Sequence, residues 1–160
     1  MKIAIMQPKF LPYIGYWQLV NAVDTFIIFD DVNFVKKAYI NHNTILADGK
    51  SQQFSLELIG ASQNKLINEI NVGSNSKKLL KTIELNYKKT PYFETVFPIL
   101  EGVFSQLEKN LAKFIGYSLK KISNYLEIDT QFVYSSDIDK NNNLKAQYKI
   151  IDICQKLNAK

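Results

Sequence analysis

The chain has 160 residues, of which 46% are hydrophobic and 22% charged, with a formal net charge of +5. That length fits one hydrophobic core, and the apolar content argues against a disordered chain. No apolar run reaches the roughly 20 residues of a membrane span, and the start, Met1 to Pro8, meets proline too early for a signal peptide. The single cysteine, Cys154, excludes an internal disulfide and fits a reducing cytoplasm. Every basic residue is lysine, spread in short clusters, and arginine is absent. The positive charge therefore reads as solubility, not as a nucleic-acid surface, since arginine is the usual reader of guanine and phosphate.

In chain order, Ile3, Ile5 and their neighbours form a short apolar strand that ends at Gln7-Pro8. Residues 7–13 hold two prolines and read as a loop. An imperfect helix follows from about Ile14 to Val23, broken at Asp24-Thr25. Phe26 to Phe29 is a second continuous apolar strand, stopped by Asp30-Asp31. Strand, helix and strand, each strand apolar on both faces, describe a βαβ unit with a parallel sheet. Residues 38–46 and 52–58 read as a hairpin insertion around Asp48-Gly49. Residues 67–72 read as a further strand.

The remainder is mostly helical. Leu79, Leu80, Ile83 and Tyr87 line a helix that Ser74 or Ser76 can cap and that Pro91 ends. Residues 94–107 carry Phe97, Leu100, Val103-Phe104 and Leu107 at helical spacing. Leu111, Phe114-Ile115, Leu119, Ile122 and Leu126 mark a longer amphipathic helix. Residues 130–134 read as a strand. Leu144, Tyr148, Ile151, Cys154 and Leu157 line one face of a last helix, with Asn158-Ala159 as its stop. The expected fold is α/β and Rossmann-like: a mainly parallel sheet with helices on both faces, a hairpin insertion and a helical C-terminal half, forming one domain over 1–160. A chain that ends after this helix, with no returning strand, is expected to be a shortened version of a longer domain with an open sheet edge.

Ligands of open α/β sheets bind beyond the carboxyl ends of the strands. Those ends carry Gln7 to Tyr13 and Asp30-Asp31. The first loop feeds a helix N-terminus at Ile14-Gly15, whose free N–H groups favour a phosphate, and Gly15 admits close backbone approach. The alternative is a proline-rich turn with Tyr13, Tyr16 and Trp17 packed in the core. Asp30 and Asp31 would act as a general base or bind Mg²⁺ through phosphates; otherwise they are a solvated turn. Lys36 and Lys37 can neutralise a phosphate or an oxyanion, and Asn41 and Asn43 can fix a sugar hydroxyl. His42 is the only histidine, which excludes a two-histidine metal site. Cys154 reads as a small core residue. Walker, dinucleotide-fingerprint, nucleophile-elbow and zinc motifs are absent.

The stretch Met6 to Leu19, with Gln7-Pro8, Tyr13, Gly15-Tyr16-Trp17 and Gln18, resembles the signature of the WbqC-like family. So do Asp24 to Val32, Lys36-Lys37, Ile40 to Asn43, and Asn86 to Phe93. The resemblance implies a cytoplasmic transferase of O-antigen, lipopolysaccharide or capsule biosynthesis. It would act on a nucleotide-activated sugar by acyl or aminoacyl transfer, alone, as a homo-oligomer or with another glycan-biosynthesis enzyme. In such an enzyme, from their place at the strand ends and after them, Asp30, Asp31 and Lys37 would be catalytic. Gln7, Pro8, Tyr13, Gly15, Tyr16, Gln18, Lys36, Asn41, His42 and Asn43 would bind substrate. His42 and Thr44 stand where family members usually carry arginine. A non-catalytic module that holds a nucleotide-sugar or a partner is the alternative. A nucleotidyltransferase-like enzyme is another, with Tyr13 to Tyr16 in place of that fold's histidine motif.

Overall fold

The computed structural model describes residues 1–159. Its centre is a three-stranded parallel sheet. Strand β1 (Ile3–Met6) and strand β2 (Thr25–Ile28) flank helix α1 (Ile14–Asn21) in sequence, so the βαβ unit forms as expected. Strand β7 (Gln131–Tyr134) pairs with the other side of β2, giving the order β1-β2-β7. All four residues of β2 are buried, which explains its unbroken apolar run. The Thr130 hydroxyl donates to the carbonyls of Val20 and Val23, at 2.7 and 3.1 Å, and ties the start of β7 to the end of α1. The protein is thus α/β. β2 fills the centre of the sheet, and β1 and β7 are its outer strands among the described residues.

Between β2 and the helices lie two antiparallel ribbons. Strands β3 (His42–Ala47) and β4 (Lys50–Ser55) form the hairpin around Asp48-Gly49, in register from His42 opposite Ser55 to Ala47 opposite Lys50. Both turn residues are left-handed, Asp48 at φ 49° and Gly49 at φ 72°. The first strand starts at His42 rather than at 38. Residues 67–72 are not one strand: a 3₁₀ turn occupies Ile67–Glu69, and only Asn71–Val72 (β6) pairs, with Leu58–Ile59 (β5). The Glu69 carboxylate takes the Leu66 N–H at 2.8 Å, which closes the turn where the apolar pattern alone reads as extended.

Helices α2 (Ser76–Tyr87), α3 (Phe93–Ser105) and α4 (Leu111–Tyr125) follow. Neither Ser74 nor Ser76 caps α2. Its N-cap is Asn75, whose amide is already spent on the Glu57 N–H and the Ser55 carbonyl, at 3.0 and 2.9 Å. The expected apolar face of α3 stops at Phe104, because Leu107 lies past the helix end and is exposed. Asn110 caps α4 by accepting the Lys113 N–H at 3.2 Å.

The last helix, α5 (Ala146–Lys156), departs most from its sequence pattern. Its buried residues are Lys149 and Ile153, while Tyr148 and Ile151 are exposed. Asn158, left-handed at φ 50°, ends it as expected. One hydrophobic cluster joins sheet, hairpin and helices. At its hub Phe10 stacks on Phe54 at 5.9 Å and meets Phe104 edge-on at 5.8 Å.

Candidate functional site

Parallel pairing brings the carboxyl ends of β1, β2 and β7 to one rim. Gln7, the Phe29–Asp31 stretch and Ser135-Ser136 follow them. The Phe29 N–H donates to the Met6 carbonyl at 2.8 Å and holds the first two exits together. The candidate side chains at this rim nonetheless separate into three groups.

Asp30 is buried and spent. Its carboxylate accepts the Ser136 N–H at 3.0 Å, the Ser136 hydroxyl at 2.7 Å and the Asn68 amide at 3.3 Å. It clamps the exit of β7 to the exit of β2, so the carboxylate expected to act as a base or metal anchor is occupied by three hydrogen bonds.

Asp31 is the centre of a buried ion cluster. Its Oδ2 lies 2.8 Å from both Lys140 Nζ and Lys149 Nζ. Lys149 also donates to the Asp31 carbonyl at 2.7 Å and sits 5.7 Å from the Phe29 ring centre. Lys140 donates in addition to the Ser135 carbonyl. Burial disfavours the charge on Asp31. Hydrogen bonds from Lys140 and Lys149, together with the Lys149 charge, outweigh that and hold its carboxyl below the usual range. Asp31 Oδ1 and Ser135 Oγ are both buried without a hydrogen-bond partner among the described residues. Of the two lysines, Lys140 is sealed inside, whereas Lys149 borders a cleft of about 650 Å³. Asn33, Ser136, Asn142 and Lys145 also line it. Two ammonium groups and one carboxylate are its only charged lining groups, so the cleft is positive. The Ala146 backbone at its mouth is left-handed, at φ 49°.

Sequence reading missed Lys140, Lys149, Lys145 and Asn142. The available signal was Lys149 itself, four residues before the fully buried Ile153 and hence on the same helix face. A lysine in that stripe demands a buried acid, and Asp31 is that acid.

The second group is Lys36, Lys37, Asn41 and His42, which line a separate cleft of about 600 Å³ with Tyr39 and Gln53. Asn43 is not in it. Its amide donates to the Leu11 carbonyl at 2.6 Å and pins the 7–13 loop to the hairpin.

The third group surrounds the start of α1. Tyr16 is buried against Phe26 at 5.2 Å, and its hydroxyl donates to the Gln7 carbonyl at 3.2 Å. Burial pushes its hydroxyl pKa up, so it stays protonated. Pro8 is buried, Gln7 half-buried and Gln18 exposed. Gly15 leaves room for the exposed Tyr13 ring: a Cβ there would stand 2.6 Å from a Tyr13 ring carbon. The exposed Tyr13 ring thus lies over the glycine expected to admit close approach of a phosphate.

The donor set does not fit Mg²⁺ at the aspartate pair. Asp30 has three hydrogen bonds and Asp31 two ammonium partners. Among the described residues no three His, Cys, Asp or Glu side chains cluster as metal ligands. No helix there is long and apolar enough to cross a membrane.

Fold and cleft together define an α/β protein with a positively charged cleft at the carboxyl edge of a parallel sheet. The chain belongs to the WbqC-like protein family, whose model matches residues 7–160. It is 28% identical over 142 residues to Rv1507c, an uncharacterized protein of Mycobacterium tuberculosis, in a match covering 86% of this chain and 62% of that protein. The chain therefore spans less than two thirds of the length of this curated relative. No solved structure matches the chain.

Proposed function

We propose that the protein is a cytoplasmic transferase of bacterial surface-polysaccharide biosynthesis that holds a nucleotide-activated sugar by its phosphates in the Asp31–Lys149 cleft. Family membership suggests, at its coarsest, a role in polysaccharide-related biosynthesis. One observation carries the rest: two buried ammonium groups share a single carboxylate oxygen beside an open cleft. Buried charge without a full partner is costly, and an anionic ligand relieves it. Lys149 spends two N–H groups on Asp31 and keeps a third for a phosphate oxygen. Lys145 adds an exposed charge at the mouth, and Asn33 and Asn142 supply amides for sugar hydroxyls. Asp31 is then a positioning residue that aims Lys149, not a base.

The test is a calorimetric titration with uridine-, thymidine- and guanosine-diphosphate sugars. One or more should bind, salt should weaken the binding, and Lys149→Met should weaken it about tenfold or more with folding retained. Absence of binding across the panel, or indifference to Lys149→Met, would overturn the reading. The commitment of both aspartates favours a second reading, a module that binds the nucleotide-sugar without converting it. Mass spectrometry of bound sugar incubated with acyl and aminoacyl donors separates the two.

A further inference from the structure

The cleft on the hairpin has no part in the phosphate site. We propose that it is a separate binding site for an acidic saccharide. Strand alternation places His42 opposite Ser55 and Thr44 opposite Gln53, so these four side chains share one face of the β3–β4 ribbon. Phe54, on the other face, is buried in the core. The rigid side of the ribbon thus faces the core and its polar side faces the cleft. Tyr39 packs on His42 with ring centres 4.9 Å apart, yet is 54% exposed.

Two contacts hold the Tyr39 backbone in a left-handed conformation, φ 56°: Lys9 donates to the Ala38 carbonyl, and the Phe10 N–H donates to the Ile40 carbonyl at 3.0 Å. The closed Tyr39–His42 pair admits no planar base between its rings. It offers one aromatic face, which suits the C–H face of a pyranose. Asn41 donates to the Leu56 carbonyl at 2.9 Å, leaving its side-chain oxygen for a sugar hydroxyl, and Gln53 brings an amide from the facing strand. The lining includes Lys36 and Lys37 and no acidic residue. Its charge selects a sugar that carries a carboxylate.

This inference does not rest on the nucleotide-sugar reading, and the experiment keeps the two apart. Cellobiouronic acid and its neutral parent cellobiose are titrated at low salt, followed by amide chemical-shift changes. The acid should bind about tenfold tighter than cellobiose and shift the amides of Tyr39, His42 and Gln53. The Lys36→Ala/Lys37→Ala double variant should reduce the acid to the affinity of cellobiose. Tyr39→Asn, which tolerates the left-handed backbone, should weaken both sugars. Lys149→Met should change neither. Equal affinity for the two sugars, absence of binding, or loss of binding on Lys149→Met would each overturn the assignment.

Discussion

Replacing Asp31 with asparagine tests the ion cluster directly. The change keeps the shape and removes the charge that faces two buried ammonium groups. At an effective dielectric of about 20, each contact at 2.8 Å has a gross attraction of roughly 6 kcal/mol. Desolvating three charged groups takes back most of it, at several kcal/mol per ion. Breaking such a pair by removing one partner leaves the other charge stranded, and costs about 3–5 kcal/mol. Lys140 sets the size of the effect, since its side chain is only 1% exposed and has no route to water. Urea denaturation followed by circular dichroism would read the loss as a lower midpoint at unchanged slope. Adding Lys140→Met to Asp31→Asn should recover part of it, because the stranded charge is then gone. A change below about 0.5 kcal/mol for Asp31→Asn, the scale of an ordinary surface substitution, would refute the reasoning. The same cluster sets an acid limit. The Asp31 carboxyl titrates below its ordinary value of 3.8, so its contribution is complete above that pH and is lost as pH falls through the lower folded value. Asp31→Asn should lack this component of acid unfolding.

Phe10→Ala should cost about 3–5 kcal/mol in the same urea assay, since it removes the ring that joins Phe54 to Phe104 and leaves a cavity at the hub. Asn43→Ala should cost about 1–2 kcal/mol and speed hydrogen exchange at Phe10, whose N–H bond to Ile40 depends on the loop that Asn43 holds. Asp30→Ala should lower the melting temperature by stranding the Ser136 N–H, yet leave the nucleotide-sugar affinity of the surviving fold within about threefold. A large affinity loss there with unchanged stability would return Asp30 to the binding machinery.

The βαβ start was legible because β2 is buried on both faces and must therefore be apolar throughout. The hairpin was legible because its turn needs two left-handed residues and Asp48-Gly49 supplies them. Residues 67–72 misled because side-chain contacts, not propensity, shape them: Glu69 closes the turn, and the Val72 N–H goes to the Lys109 carbonyl at 2.7 Å. The candidate site was legible as a rim and not as a set of partners. Asp30 and Asp31 are neighbours of one residue type with opposite fates, decided by Ser136 and Lys140 a hundred residues away. Helix α5 shows the same limit. Tyr148 and Ile151 have the hydropathy of core residues, but an apolar stripe can only be buried where something covers it, and Asp31 instead draws in the face that carries Lys149.

That choice of face couples the last helix to the cleft. α5 buries only Lys149 and Ile153, a smaller apolar attachment than the buried faces of α1 and α4 provide. Lys149 is at once the anchor of the helix and the cleft's buried cation. An anion held there as proposed would interact with a charge that the docked α5 sets in that position. On that reading, ligand binding and docking of the helix would be one linked equilibrium, each favouring the other. Lys140 makes this possible. By keeping Asp31 ionised and in place from behind, it lets Lys149 turn a donor toward the cleft without leaving the carboxylate unpaired. Two lysines on one aspartate are thus not redundant: one fixes the acid, and the other, fixed by it, meets the solvent side.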